Sequence, residues 1–72
     1  MDIITISTLP IRLGQLLKVA NIAQDGFEAK LMIQNGLVSV NGKIETQRGK
    51  KIVDQDIIQV DEKHKFQIKI EK

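Results

Sequence analysis

Apolar residues recur along this chain with two different periods, and the change of period divides it. Asp2 to Ser7 carries Ile3, Ile4 and Ile6 among hydroxylated residues and predicts a short strand, ended by Pro10, which has no amide proton. Leu13, Leu16, Leu17 and Ala20 then fall at i, i+3, i+4 and i+7, one face of a two-turn helix, with Asn21 as its stop. A second helix is predicted to begin at Asp25, whose carboxylate can cap the next turn, with Glu28 completing a capping-box-like pair. Ala29, Met32 and Ile33 form its apolar face, widened by Phe27 and Leu31, and Asn35-Gly36 ends it. Beyond Gly36 the period falls to two. Val38 and Val40 point one way, Leu37 and Ser39 the other. Asn41-Gly42 is a strong hairpin signal, because a type I′ turn needs positive φ at both central residues. Lys43 to Glu45 starts the return strand, and Gln47-Arg48-Gly49-Lys50-Lys51 reads as a basic loop. Ile52-Val53 and Ile57 to Val60 read as short strands around an Asp54-Gln55-Asp56 turn, and Phe66, Ile68 and Ile70 as the apolar face of a closing strand.

The predicted order is β-α-α-β-β-β-β. It describes an α+β domain: two short N-terminal helices packed on a small, mainly antiparallel sheet. The 72 residues leave room for one domain, residues 1–72, with stability of a few kcal/mol expected at this size.

Charge changes the picture through its placement. The net charge is only +2, but from Arg12 to Lys51 seven Lys or Arg face three acids, a net of +4. From Ile52 to Glu62 four acids face no base, a net of −4. A basic stretch on so small a fold implies an anionic partner, nucleic acid first. The chain has no cysteine, hence no disulfide or thiolate metal site, which fits a reducing compartment. Asp2 stands where a signal peptide would be basic, and no apolar run approaches a membrane span, so a cytoplasmic, membrane-free monomer is expected.

Catalysis finds little support. The single histidine, His64, lies in a charged run and reads as a surface residue, and one His without Cys cannot supply the usual metal sets. Asp54 and Asp56 are expected to satisfy their own backbone turn. No phosphate-binding glycine motif occurs, and Gly36, Gly42 and Gly49 each have a turn explanation. A non-enzyme without cofactor or metal is expected.

Among nucleic-acid binders, those that stack bases need exposed aromatics. This chain has no Trp and no Tyr, and both Phe read as core, which disfavours such a platform. What remains is recognition of structured RNA through its phosphates. The candidate residues are Arg12 and Lys18 on the first helix, Lys30 on the second, and Lys43, Arg48, Lys50 and Lys51 on the hairpin side. Arg12 and Lys18 do not share one strict helical face. Arg48, Lys50 and Lys51 crowd a short loop, where their repulsion is unfavourable unless an anion offsets it.

The segments Arg12-Leu13-Gly14-Gln15-Leu16-Leu17, Phe27-Glu28-Ala29-Lys30, Ile33 to Lys43 with its Gly-Leu-Val-Ser-Val-Asn-Gly core, and Asp56 to Val60 together resemble the alpha-L RNA-binding domain. This is the domain type named after small-subunit ribosomal protein S4, found also in tyrosyl-tRNA synthetases and pseudouridine synthases. The resemblance spans Arg12 to Val60. Arg48-Gly49-Lys50-Lys51 and the short chain resemble its stand-alone bacterial subgroup of the YbcJ/YaaA type. It implies an RNA surface on the two helices and the hairpin start, with Arg12, Lys30 and Lys43 at matching positions and Arg48, Lys50 and Lys51 in the subgroup's basic loop. It implies a structured rRNA or tRNA-like ligand, with the ribosome or a ribosome-associated protein as a further partner. Three positions depart from the pattern. Gly14 replaces the Asp of Arg-Leu-Asp, Asp25-Gly26 replaces the Ser/Thr-Arg pair opening helix 2, and Gln55 replaces the Gly of a late Gly-Asp turn. Loss of the helix 2 arginine shifts the expected contacts toward residues 43–51.

The rival class is a protein-interaction module using the acidic stretch 54–62 and the basic loop without touching RNA. A β-grasp sulfur carrier is disfavoured because the chain ends Ile70-Glu71-Lys72 rather than Gly-Gly. DNA reading is disfavoured because the helices are short and their faces apolar.

Overall fold

The computed structural model describes residues 2–7 and 11–71; the strand-ending role expected of Pro10 lies outside them. The elements are β1 (Asp2–Ile6), β2 (Ile11–Arg12), α1 (Leu13–Val19), α2 (Gly26–Gln34), β3 (Val38–Val40), β4 (Lys43–Ile44), β5 (Lys51–Ile52), β6 (Ile57–Val60) and β7 (His64–Ile70).

Both helices end as their sequences predict. Asn21 takes the left-handed conformation (φ 64°), and the amides of Asn21 and Ile22 donate to the carbonyls of Lys18 and Leu17. Gly36 (φ 77°) does the same for α2, with Gly36 and Leu37 donating to Ile33 and Met32. These are two Schellman closures, each using a residue that tolerates positive φ. At the start of α2 the Asp25 carboxylate accepts from the Glu28 amide at 2.8 Å. The Glu28 carboxylate reaches back to the Gln24 amide, one residue before the cap.

The main sheet has the order β1-β7-β6-β3-β4. β3–β4, β3–β6 and β6–β7 are antiparallel, while β1 runs parallel to β7, pairing Asp2 to Ile6 with Phe66 to Ile70. Two strands therefore precede the helices, so the expectation of N-terminal helices needs correcting. The chain's first strand is a sheet edge laid against its last. The Asn41-Gly42 turn is type I′ in its backbone (φ 53° and 86°). The return strand is shorter than expected, ending at Ile44. The Ile52-Val53 strand is displaced: β5 is Lys51–Ile52 and pairs with β2 in a separate two-stranded sheet, leaving Val53 exposed.

The core joins the apolar faces of all these elements. Leu13, Leu16 and Leu17 of α1 and Ala29 and Ile33 of α2 pack with Val38, Val40, Ile58, Val60, Phe66 and Ile68 of the sheet, and Ile11 and Ile52 bury the small sheet against them. Phe27 corrects the reading that both Phe are core. Phe66 is 3% exposed, whereas Phe27 is 63% exposed and Leu31 44%. At about 100° per residue, Phe27 and Leu31 stand roughly opposite Ala29 and Ile33, so the face that packs inward turns them outward.

One polar knot lies at the edge of this core. Asp56, 7% exposed, accepts from Asn41 Nδ2 and from the Val53 amide, each at 2.9 Å. Asn41 Oδ1 in turn accepts from the Ile57 amide, and the Asn41 amide donates to the Ile57 carbonyl. The Asn that makes the hairpin turn thus also ties it to the 54–56 turn. Asp56→Ala strands these donors and is expected to cost about 1–3 kcal/mol in chemical denaturation. Glu71→Ala, on the exposed C-terminal side, is expected to stay within about 0.5 kcal/mol.

Candidate nucleic-acid interface

A helix leaves its first amides without partners, and α1 has no Ser, Thr, Asp or Asn to cap them, only Arg12. The basic loop supplies the missing acceptors. The amides of Leu13 and Gly14 donate to the carbonyls of Lys50 (2.9 Å) and Arg48 (3.0 Å), and Arg12 Nη1 donates to the Gly49 carbonyl (3.0 Å). The Gln15 side chain accepts from the Arg12 amide at 3.1 Å. β2–β5 pairing, Ile11 with Ile52 and Arg12 with Lys51, continues this seam. The loop carbonyls turn to the helix, and the side chains of Arg48, Lys50 and Lys51 are exposed.

Gly14 belongs to this seam. A Cβ at residue 14 would meet Arg48 Cβ at 3.5 Å and the Arg48 carbonyl at 3.6 Å, so the loop lies in van der Waals contact with the helix. Both are ordinary contact distances, so a Cβ would fit against the loop without displacing it.

Seating the loop creates a groove of about 260 Å³ lined by Arg12, Gly14, Gln15, Lys18, Gly26, Arg48 and Gly49. Arg12 and Lys18 both line it although they share no strict helical face, because the groove is not a face of α1. It is bounded by the loop on one side and the start of α2 on the other. A second depression beside it is lined by Lys43, Lys50 and Lys51 together with Glu45, Asn41 and Asp56. Successive residues of one loop thus serve both surfaces. Lys30 lines neither; it is half-buried on α2, three residues after Phe27. Gln15 and the three glycines of the groove wall were not among the sequence candidates. A Cβ at Gly26 would meet no neighbour within 4 Å, so that part of the wall is open.

The acids near these surfaces have backbone partners. Glu45 accepts from the amides of Thr46 and Gln47, Asp54 from Ile70 (2.8 Å), and Asp56 from Val53. Asp56 satisfies its own turn as expected, whereas Asp54 accepts from β7 instead. His64 is exposed on β7. Among the described residues no cluster of three or more His, Cys, Asp or Glu is placed to hold a metal ion, and no helix is long and apolar enough to cross a membrane.

The model of the S4 domain family matches residues 4–69. A Bacillus subtilis (strain 168) protein named "Probable ribosome maturation protein RlbA" is 35% identical over 65 residues, covering 90% of this chain and 92% of that one. The solution structure of Escherichia coli YbcJ, described as revealing an alpha-L motif involved in RNA binding, superposes with a TM-score of 0.71 at 30% identity, covering 96% of this chain and 87% of YbcJ. The 30S ribosomal protein S4e of Thermoplasma acidophilum gives a TM-score of 0.51 at 26% identity over 68% of this chain and 24% of that protein.

If Arg12 straps the loop to α1, Arg12→Ala should cost about 1 kcal/mol of stability. Amide hydrogen exchange should accelerate at Leu13 and Gly14, the residues whose partners lie in the loop. Unchanged exchange there would mean that the loop is held without the strap.

Proposed function

This chain belongs to the S4 domain family, and on that premise we propose that it binds structured RNA, rRNA or a tRNA-like fold, chiefly through the phosphate backbone. One observation carries the reading: Arg12, Lys18 and Arg48 converge on a groove walled by glycines, with Lys43, Lys50 and Lys51 on the adjoining surface. Glycine walls let a phosphate approach the backbone closely, and the guanidinium groups supply paired donors suited to phosphate oxygens. Arg12 keeps donors to spare after its bond to Gly49, since a guanidinium carries five N–H groups. The relatives' descriptions, an RNA-binding motif, a ribosome maturation protein and a 30S protein, support a ribosomal setting for the ligand.

In physical terms, the basic surface neutralises several phosphates and releases their counterions. Phosphate contacts position a ligand without specifying its sequence, so preference should follow RNA shape. A-form duplexes suit this, because their deep, narrow major groove keeps side chains from the base edges.

A second reading has its own observation. Leu37 and Ile44, 38% and 67% exposed, line a depression with Asp61 and Glu62 beside the two-residue edge strand β4. That surface suits a basic, partly apolar protein segment, as a ribosome-associated partner would offer.

Titrating structured RNA, single-stranded RNA and duplex DNA across a salt series separates the readings. Structured RNA is expected to bind best, with log affinity falling linearly in log salt. Arg48→Ala/Lys50→Ala/Lys51→Ala is expected to lower that slope by roughly two to three. Lys63→Ala/Lys65→Ala/Lys69→Ala, an equal change of charge at β7, should leave most of it. No salt-sensitive preference in a folded wild type would sink the RNA reading and favour the protein one.

A further inference from the structure

Phe27 has no packing role that explains it. Of the chain's two phenyl rings, one, Phe66, is in the core, and the other is 63% exposed. It directly follows Gly26, which lines the Arg12–Lys18–Arg48 groove. On α2 it shares a face with Lys30 and Leu31, at i+3 and i+4. An exposed aromatic flanked by a lysine, one residue along the chain from the wall of a cationic groove, is a combination that single-stranded nucleic acids can use: cations track the phosphates, and a base lies flat on the ring.

We propose that Phe27 is a base-stacking platform, so that the preferred ligand is a structured RNA with an unpaired nucleotide beside its helix, the base on Phe27 and the neighbouring phosphates in the groove. The inference rests on the RNA-binding reading above and deepens it. A protein ligand fits this face less well. Lys30 lies between the apolar pair Phe27 and Leu31, and Gly26, next to Phe27, lines the groove of Arg12, Lys18 and Arg48, which favours an anion with a flat apolar part. A nucleotide has both.

The chain lacks Trp and Tyr, so Phe27→Trp introduces a single indole reporter. Two probes are used: a blunt RNA duplex and the same duplex with one unpaired nucleotide bulged out. Wild type and Phe27→Trp should prefer the bulged RNA, and the indole fluorescence should be quenched by it and not by the blunt duplex. Phe27→Ala and Phe27→Leu should lose roughly five- to a hundredfold in affinity for the bulged RNA, within the range for one stacked base. The salt slope should stay unchanged, since stacking releases no counterions. Because Phe27 is exposed, circular dichroism should show all variants folded. If Phe27→Ala binds both RNAs as wild type does while the salt slope persists, the stacking platform is overturned and the phosphate reading survives. If Phe27→Leu matches wild type, the contact is apolar rather than stacked, and the proposal also fails. If wild type binds neither RNA, both readings fall together.

Discussion

The seating of the 47–51 loop across the head of α1 is the interaction on which the rest of the molecule's surface depends. α1 begins without a capping side chain, so its first amides need acceptors from elsewhere, and the carbonyls of Arg48 and Lys50 provide them. The same two bonds decide where the loop's charges go. With the carbonyls turned inward to helix amides and the Gly49 carbonyl taken by Arg12, the side chains of residues 48, 50 and 51 face solvent. A bond that satisfies a helix end therefore also builds the cationic surface. It brings together residues from α1, the loop and the start of α2 that are far apart in sequence.

To present a dense group of cations to an anion, so small a domain must hold them in place against their own repulsion and leave them largely unneutralised. Buried contacts supply the first: Ile11 and Ile52 tie the small sheet to the core directly beneath the loop. The placement of the carboxylates supplies the second. Glu45 and Asp56, which line the second depression, each accept from backbone amides, so these acids serve the hairpin and the turn. Asp56 shows the economy of this arrangement, since its two oxygens connect the hairpin turn at Asn41 with the turn at 53–56. Acid and base are thus separated by role even where they line one depression.

Helix α2 divides its own surface between packing and display. Ala29 and Ile33 enter the core, while Phe27 and Leu31 look outward, and a chain with two phenylalanines in all leaves one of them in water. On a domain with two phenylalanines and no Trp or Tyr, an exposed ring one residue from the wall of a basic groove gives the surface a second chemistry, apolar and flat, next to its charge.

Local physics alone was enough for several features. The Schellman ends at Asn21 and Gly36, the Asp25 cap, the type I′ turn at Asn41-Gly42 and the alternation in β3, β6 and β7 depend on backbone preferences and on side-chain period, both carried by neighbouring residues. Family membership was legible too, through the resemblance of several spaced segments rather than through local physics. Pairings distant in sequence were not legible. Nothing near Asp2 announces a parallel partner at Phe66, and two-residue strands such as β2 and β5 carry no period to detect. Only the tertiary structure placed Arg12 and Lys18 on one groove, because that groove is made by a loop arriving from residues 47–51. Only it turned Phe27 outward, because hydrophobicity says that a ring can be buried, whereas the direction of the core decides whether it is.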